Sequence, residues 1–327
     1  MIHTRGLPTQ SFESGPGEER TVSLQGNCDR LVLGTAQLGM RYGVGNVIGQ
    51  PDPETATSIV STVWSSGVRF FDTAQAYGAS EAVLGRAFAK LGVSDEARVI
   101  TKLTADVEAG DTSSILQSLE TSLKRLQIPR LWAVLLHRED QLDEWCNGIA
   151  NALLEAKQKR LITRIGVSVY SPDRALQALK MDELDVIQVP ANVFDRRVKR
   201  AGVFEYAQKV KKSVFVRSVY LQGLALINSD AVSDGILCGK AAVKTLEQFC
   251  TKYQVDRQHF AIDYVRRMAP GARLIIGAES KRQAVENCAW FKKEALSGSL
   301  TDAWTRFWPE DIDGLSDPRK WHIARQN

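Results

Sequence analysis

Four side chains in this chain have the types and placement needed for proton transfer: Asp72, Tyr77, Lys102 and His137. Asp72 closes the apolar run Arg69-Phe70-Phe71-Asp72, and Tyr77 follows in the loop Thr73-Ala74-Gln75-Ala76-Tyr77-Gly78. Lys102 and His137 close two later apolar runs. A free phenol titrates near ~10 and is a poor acid at neutral pH. A neighbouring ammonium favours the phenolate and lowers that value, and a carboxylate keeps the ammonium charged and oriented. An imidazole can orient a carbonyl group or assist the proton transfer. The set suits reduction of a ketone or aldehyde, with Tyr77 protonating the alkoxide as a hydride reaches the carbon. The sequence has no metal-ligand pattern, so the hydride calls for an organic cofactor.

Taken singly, each residue has a plainer reading. Asp72 is a loop cap, Lys102 a structural ion-pair partner and Tyr77 a packing tyrosine. His137 is one of four histidines, and it alone ends an apolar strand, in Leu135-Leu136-His137. Only a fold that brings successive strand ends together makes the four a site.

The rest of the sequence predicts such a fold. Nearly continuous apolar runs, as in parallel strands covered on both faces, occupy residues 31–34, 68–72, 99–102, 131–137, 164–169, 184–189, 214–218 and 274–277. Helical spacing fills the intervals, at 54–66, 80–91, 113–126, 149–161, 172–179, 197–211, 240–253, 256–268 and 282–295. Ile115, Leu116, Leu119, Leu123 and Leu126 form one such stripe. The alternation, unbroken by a linker, predicts an α/β fold, a single-domain (β/α)₈ TIM barrel of ~250 core residues. A doubly wound open sheet is the competitor. The glycines of Gly43-Val44-Gly45-Asn46-Val47-Ile48-Gly49 do not match a dinucleotide-fold fingerprint, because the third comes one residue late and no helical pattern follows. Residues 28–327 form the expected barrel unit. Residues 297–327 form a tail rich in aromatics, set either across the barrel mouth or on outer helices.

Composition narrows the function. The chain has 327 residues, 44% of them hydrophobic and 24% charged, with a formal charge of +4. That balance is ordinary for a globular protein and too small in charge to imply nucleic acid. The basic clusters at 196–200 and 209–212 read as a solvated helix face or an attraction for an anionic ligand. Five scattered cysteines, without a CxxC pair, fit neither a disulfide framework nor a zinc site. Residues 1–27 read as a flexible polar lead-in without the apolar region of a secretory signal. No run approaches the ~20 apolar residues that cross a bilayer. The expected setting is cytoplasmic, with no membrane partner.

The motifs together resemble the aldo-keto reductase family. Phe71 to Gly78, with Glu81 and Leu84-Gly85, resembles that family's active-site motif, and Ile100-Thr101-Lys102 and Leu135-Leu136-His137 resemble its lysine and histidine motifs. Gly166-Val167-Ser168, Ile187-Gln188, and Ile275-Ile276-Gly277-Ala278 through Glu286-Asn287 resemble its cofactor segments. The likeness runs in order from about residue 31 to 287. It implies a (β/α)₈ barrel and NADPH-dependent carbonyl reduction, with Tyr77 as general acid, Lys102 and His137 tuning it, and Asp72 paired with Lys102. For the cofactor it implies Ser168 and Gln188 at the nicotinamide carboxamide. Ser218, Leu221 and Gly223 would lie near the pyrophosphate. Gly277, Ser280, Lys281, Arg282 and Gln283 would stand at the opening of the last helix, near a 2′-phosphate. Glu286 and Asn287 would face the adenine.

Three positions depart from the family pattern. Val169 replaces a common asparagine, Arg217 a common aromatic ring, and Gln283 a common arginine, while Glu279 adds a nearby negative charge. Arg217 is expected either to stack on the nicotinamide or to reach an anionic substrate. Lys281 and Arg282 are expected to compensate at the 2′-phosphate, which keeps NADPH ahead of NADH. The segments from Leu33 to Gly43 and from Asp317 to Trp321 resemble a branch associated with sugar and polysaccharide metabolism. Gln37, Arg138, Asn192 and Arg217 at the mouth suit a small polar carbonyl substrate, such as a keto-sugar. The expected assembly is a monomer or small homo-oligomer. Rival readings are a cofactor-binding redox-sensing subunit with little turnover, and a lyase or isomerase using Lys102 as a Schiff-base amine.

Overall fold

The computed structural model describes residues 28–104, 110–308 and 312–322. The lead-in over residues 1–27 lies outside them, as do residues 309–311 and 323–327 of the expected tail.

Eight parallel strands close on themselves in sequence order: β1 (Leu31–Gly34), β2 (Phe70–Asp72), β3 (Arg98–Lys102), β4 (Leu131–Leu136), β5 (Ile162–Ser168), β6 (Val186–Pro190), β7 (Ser213–Arg217) and β8 (Arg273–Gly277). β1 pairs with both β2 and β8, which closes the barrel and excludes the open sheet. The expected strands are all present, most within one or two residues of their predicted ends.

The helices follow the strands. They are α1 (Ala36–Gly39), α2 (Pro53–Ser65), α3 (Ser80–Leu91), α4 (Thr112–Leu126), α5 (Ile149–Gln158), α6 (Pro172–Leu179), α7 (Arg197–Arg200) and α8 (Val203–Lys209). Next come α9 (Gly239–Tyr253), α10 (Arg257–Met268), α11 (Lys281–Lys292), α12 (Gly298–Phe307) and α13 (Asp313–Ser316). Local chemistry sets several starts. Asp52 accepts from the Glu54 and Thr55 amides ahead of Pro53, and Asp256 accepts from those of Gln258 and His259.

Two sequence expectations change here. The single helix over 197–211 is two, because Gly202 takes a left-handed φ of 71° between α7 and α8. The helix opened by Ser280 is not the last, since α12 and α13 follow it.

Alternation along the strands separates two cores. Leu31, Leu33, Phe71, Val99, Val134, Leu136, Ile165 and Ile187 pack outward under the helices. Val32, Phe70, Ile100, Ala133, Leu135, Val186, Phe215 and Ile275 fill the barrel interior. Side chains two positions apart share a face. The next inward positions toward the C-terminal ends are therefore Gly34, Asp72, Lys102, His137, Gln188, Arg217 and Gly277. Ser168 stands one step of the same alternation beyond Gly166, whose missing Cβ would stand 2.2 Å from the Val186 carbonyl oxygen.

The described part of the tail makes two sets of contacts. Trp304 is buried against Phe249 and Phe260 of the outer helices and donates from its indole to the Val193 carbonyl at 2.7 Å. Further on, Arg319 reaches the barrel mouth, its guanidinium carbon 3.7 Å from the Tyr170 ring centroid.

Candidate active site

Three short strand ends and one loop assemble the proton-transfer residues. The loop after β2 is fixed by hydroxyls: Thr35 Oγ1 donates to the Asp72 carbonyl at 2.9 Å, and the Thr73 and Ser80 hydroxyls are 2.9 Å apart. Glu81, from the same motif, accepts from Thr101 Oγ1 at 2.7 Å, so it ties α3 to β3. A Cβ on Gly85 would stand 2.1 Å from the Arg125 carbonyl oxygen, so that glycine lets α3 and α4 approach. These motif residues position the loop and do not face the mouth.

Lys102 is 1% exposed, and its ammonium has three oxygen partners. It donates to Asp72 Oδ2 at 2.8 Å, to the Thr73 carbonyl at 2.8 Å and to the Tyr77 hydroxyl at 3.4 Å. An ammonium has three N–H groups, so the set is complete. No free amine remains for a Schiff base. Gln188 Nε2 donates to Asp72 Oδ1 at 2.7 Å, which fixes the other oxygen of the carboxylate. His137 stands edge-on to the Tyr77 ring, with centroids 5.8 Å apart and planes at 80°.

Burial dominates the proton affinities. It lowers the Lys102 ammonium below its ordinary value, while Asp72 opposes that shift. Burial, together with the charges of Lys102 and Arg217, pushes His137 down to about 4, so its imidazole is neutral at pH 7. The Tyr77 phenol is raised, first by burial and then by the Asp72 charge, with Arg217 opposing. The sequence reading expected a lowered phenol. In the folded protein desolvation and the Asp72 charge outweigh the Arg217 charge, and Tyr77 rests protonated.

A cleft of about 420 Å³ runs from this cluster across the ends of β7, β8 and β1 to the start of α11. Of the expected residues, Asp72, Tyr77, Arg217, Ser218, Gly223, Gly277, Arg282, Gln283, Glu286 and Asn287 line it. Lys102 and His137 adjoin it through Tyr77.

Five expected cofactor residues do not line the cleft. Gln188 is fully buried, its amide shared between Asp72 and the Ser168 hydroxyl. Ser168 is thereby occupied as well. Leu221 packs into the outer core, while its backbone takes a left-handed φ of 47°. Ser280 caps α11, accepting from the Gln283 amide at 3.2 Å. Lys281 points to solvent. Among those that do line the cleft, Arg282 pairs with Glu286 at 3.2 Å, and Gln283 accepts from the Glu279 amide at 2.7 Å. Of the mouth candidates, Gln37 lines the cleft, Asn192 is buried, and Arg138 turns outward to pair with Asp140.

Several lining residues were missed. Tyr220 and Gln258 both donate to Asn287 Oδ1, at 3.1 and 2.8 Å, and shape the far end of the cleft. Gln258 arrives on α10, away from every strand end, so no strand pattern could reveal it. Tyr42 lies beside Tyr77 and Arg217 in the lining, and Tyr170 stacks on Arg217. Tyr170 follows the departure already noted at Val169, which was its one sequence signal.

The cleft also has a glycine cradle. A Cβ on Gly223 would stand 3.3 Å from the Gly45 amide nitrogen, and one on Gly277 would meet the Gln37 side-chain amide at 2.5 Å. Val44 donates to the Gln222 carbonyl at 2.9 Å, so the loop after β1 lies across the loop after β7.

A family model described as the aldo/keto reductase family matches residues 30–308. The chain is 28% identical over 203 residues to an aldo-keto reductase, YhdN, of Bacillus subtilis, a stretch covering 60% of this chain and 59% of that protein. It is 25% identical over 320 residues to the NADH-specific methylglyoxal reductase of Escherichia coli, covering 84% of this chain and 95% of that one. In the holo form of the Bacillus halodurans aldo-keto reductase AKR11C1 the same fold recurs with a TM-score of 0.70. That structure is 20% identical and covers 90% of this chain and 98% of its own.

Proposed function

The chain belongs to the aldo/keto reductase family, and is by that membership a nicotinamide-dependent oxidoreductase; from this premise we propose that it reduces a small polar ketone or aldehyde with NADPH, using Tyr77 as the general acid. The observation that carries the reading is the Lys102 ammonium, buried and held by Asp72 with its third N–H directed at the Tyr77 hydroxyl.

The residues of the cleft fit a nicotinamide dinucleotide. Gly43, Gly45, Gly223 and Gly277 leave backbone room along its length. The twelve-residue helix α11 presents its N-terminal amides near the far end, a favourable place for phosphate. Ser218, with a φ of 60°, and Gly223 would line the pyrophosphate, and Asn287 and Glu286 the adenine. Arg282 is the cation closest in role to a 2′-phosphate contact, with Lys281 beside it in sequence. When bound, the cofactor supplies a hydride to the carbonyl carbon.

The chain's own residues would manage the proton. Tyr77, protonated at rest, donates its hydroxyl proton to the carbonyl oxygen as the carbon is reduced. The phenolate left behind is stabilised by the Lys102 N–H already directed at it, and Asp72 keeps that ammonium charged. Gln188 and Ser168 hold Asp72 in place behind it. His137, neutral, has one N–H to orient the carbonyl oxygen beside Tyr77.

The test is steady NADPH consumption with a panel of polar carbonyl compounds, for the wild type and for Tyr77→Phe. The variant is expected to lose roughly 10²–10⁴-fold in kcat. Undiminished turnover in the variant would remove Tyr77 from the role of acid. A wild type that binds NADPH yet turns over no carbonyl would point to the redox-sensing reading.

A further inference from the structure

Arg217 brings a positive charge into the mouth that no carboxylate among the described residues neutralises. It continues the inward face of β7 beyond Phe215 and lines the cleft beside Tyr77 and Tyr42. Its hydrogen bonds go to uncharged oxygens and are long. Nε donates to the Ser168 hydroxyl at 3.3 Å, Nη2 to the Val169 carbonyl at 3.2 Å, and Nη1 to the Ser218 hydroxyl at 3.5 Å. The other cation of the cluster, Lys102, is matched by Asp72.

The guanidinium is also mounted. Its central carbon lies 3.9 Å from the centroid of the Tyr170 ring, and that of Arg319 lies 3.7 Å from the same centroid. Both guanidinium groups therefore stack on Tyr170, which links Arg217 to Arg319. The carboxylates nearby are committed to Arg319 and to backbone amides. Asp317 pairs with Arg319 at 2.7 Å, and Glu139 accepts from the Tyr170 and Ser171 amides at 2.9 Å while also facing Arg319. The tail and the loop after β4 thus neutralise Arg319 and fix Tyr170, and leave Arg217 charged toward the cleft. A planar fork of N–H donors whose present partners are weak is suited to exchange them for a carboxylate or phosphate.

We propose that Arg217 is the anion-reading residue of the mouth, and that the substrate is a carbonyl compound carrying a carboxylate or a phosphate. The proposal rests on the reading of the cleft as a carbonyl-reducing site. Tyr170 and Arg319 act as positioning residues, since they hold Arg217 rather than touch the substrate.

The experiment compares kcat/KM within two matched pairs: succinic semialdehyde against butyraldehyde, and glyceraldehyde 3-phosphate against glyceraldehyde. Any part Arg217 has in holding the cofactor is common to both members of a pair, so the ratio isolates the anion contact. The wild type is expected to favour the charged member of at least one pair by about tenfold or more, and Arg217→Leu to lower that ratio by roughly 10- to 100-fold. The responding pair identifies the anionic group. Arg217→Lys, which keeps the charge without the fork, is expected to fall between the two and serves if the leucine variant does not fold. Ratios near one in the wild type, or ratios untouched by either substitution, overturn the proposal. If none of the four compounds is reduced with NADPH or NADH, the carbonyl-reductase reading itself fails. Reduction of the neutral members as fast as the charged ones leaves that reading standing and removes only the anion subsite.

Discussion

Gly39 and Tyr77 are in backbone contact: a Cβ on Gly39 would stand 1.9 Å from the Tyr77 carbonyl oxygen and 2.4 Å from the Ser80 amide nitrogen. The Gly39 carbonyl in turn accepts from the Ala79 amide at 3.2 Å. The end of α1 is therefore the surface against which the loop carrying Tyr77 is seated. The loop can sit there only because position 39 has no side chain.

Gly39→Ala is expected to push this loop outward. Overpacking of this kind costs roughly 1–3 kcal/mol, and a displacement of Tyr77 of about 1 Å costs on the order of 10²-fold in rate. Urea unfolding and kcat/KM with any accepted carbonyl substrate check both. A variant with normal kinetics would show that Tyr77 does not depend on this seat.

Lys102→Met is expected to abolish carbonyl reduction and to destabilise the protein by about 3–5 kcal/mol, because it leaves the Asp72 carboxylate buried without its cation. Adding Asp72→Asn removes that charge and should recover part of the stability with no activity. If denaturant midpoints show two independent, additive losses, the pair is not coupled as the 2.8 Å contact requires.

His137 is held down to about 4, against an ordinary value of 6.5. Between those values the unfolded chain binds the proton and the folded chain does not, so stability falls as pH drops from about 6.5 toward 4. This single group contributes at most about 3 kcal/mol to that loss, and less after allowance for its partial exposure. His137→Asn should flatten this limb of the stability profile, as followed by thermal unfolding across that range. A parallel, undiminished slope would place the acid sensitivity elsewhere. By the same shift, the reduction rate should show no inflection near pH 6.5.

Arg282→Ala is expected to weaken NADPH more than NADH, by roughly tenfold for one charge-assisted contact, as measured by cofactor fluorescence titration. Lys281→Ala should matter less, because Lys281 points away from the cleft. Equal weakening of both cofactors by Arg282→Ala would mean that its pairing with Glu286 serves α11 and not a 2′-phosphate.

The sequence by itself determined the barrel and the identity of its catalytic candidates. Parallel strands buried on both faces leave near-continuous apolar runs, and those runs ended at Asp72, Lys102 and His137 in a phase that period-two alternation alone fixes. Phe70 to Asp72, Ile100 to Lys102 and Phe215 to Arg217 are each one step of that alternation, from a filled interior to an open mouth. Tertiary structure decided what lies across strands and what occupies each donor. Gln188 looked free for a cofactor amide, but packing turns it to Asp72. Lys281 looked like a phosphate ligand, but the helix phase of α11 points it to solvent. The Tyr77 phenol was expected to be lowered by its lysine, and burial raises it instead. The stack of Arg217, Tyr170 and Arg319 joins the end of β7, the loop after β5 and the tail. Contacts so distant along the chain leave no periodic trace in sequence, and desolvation depends on everything that surrounds a group rather than on its neighbours in the chain.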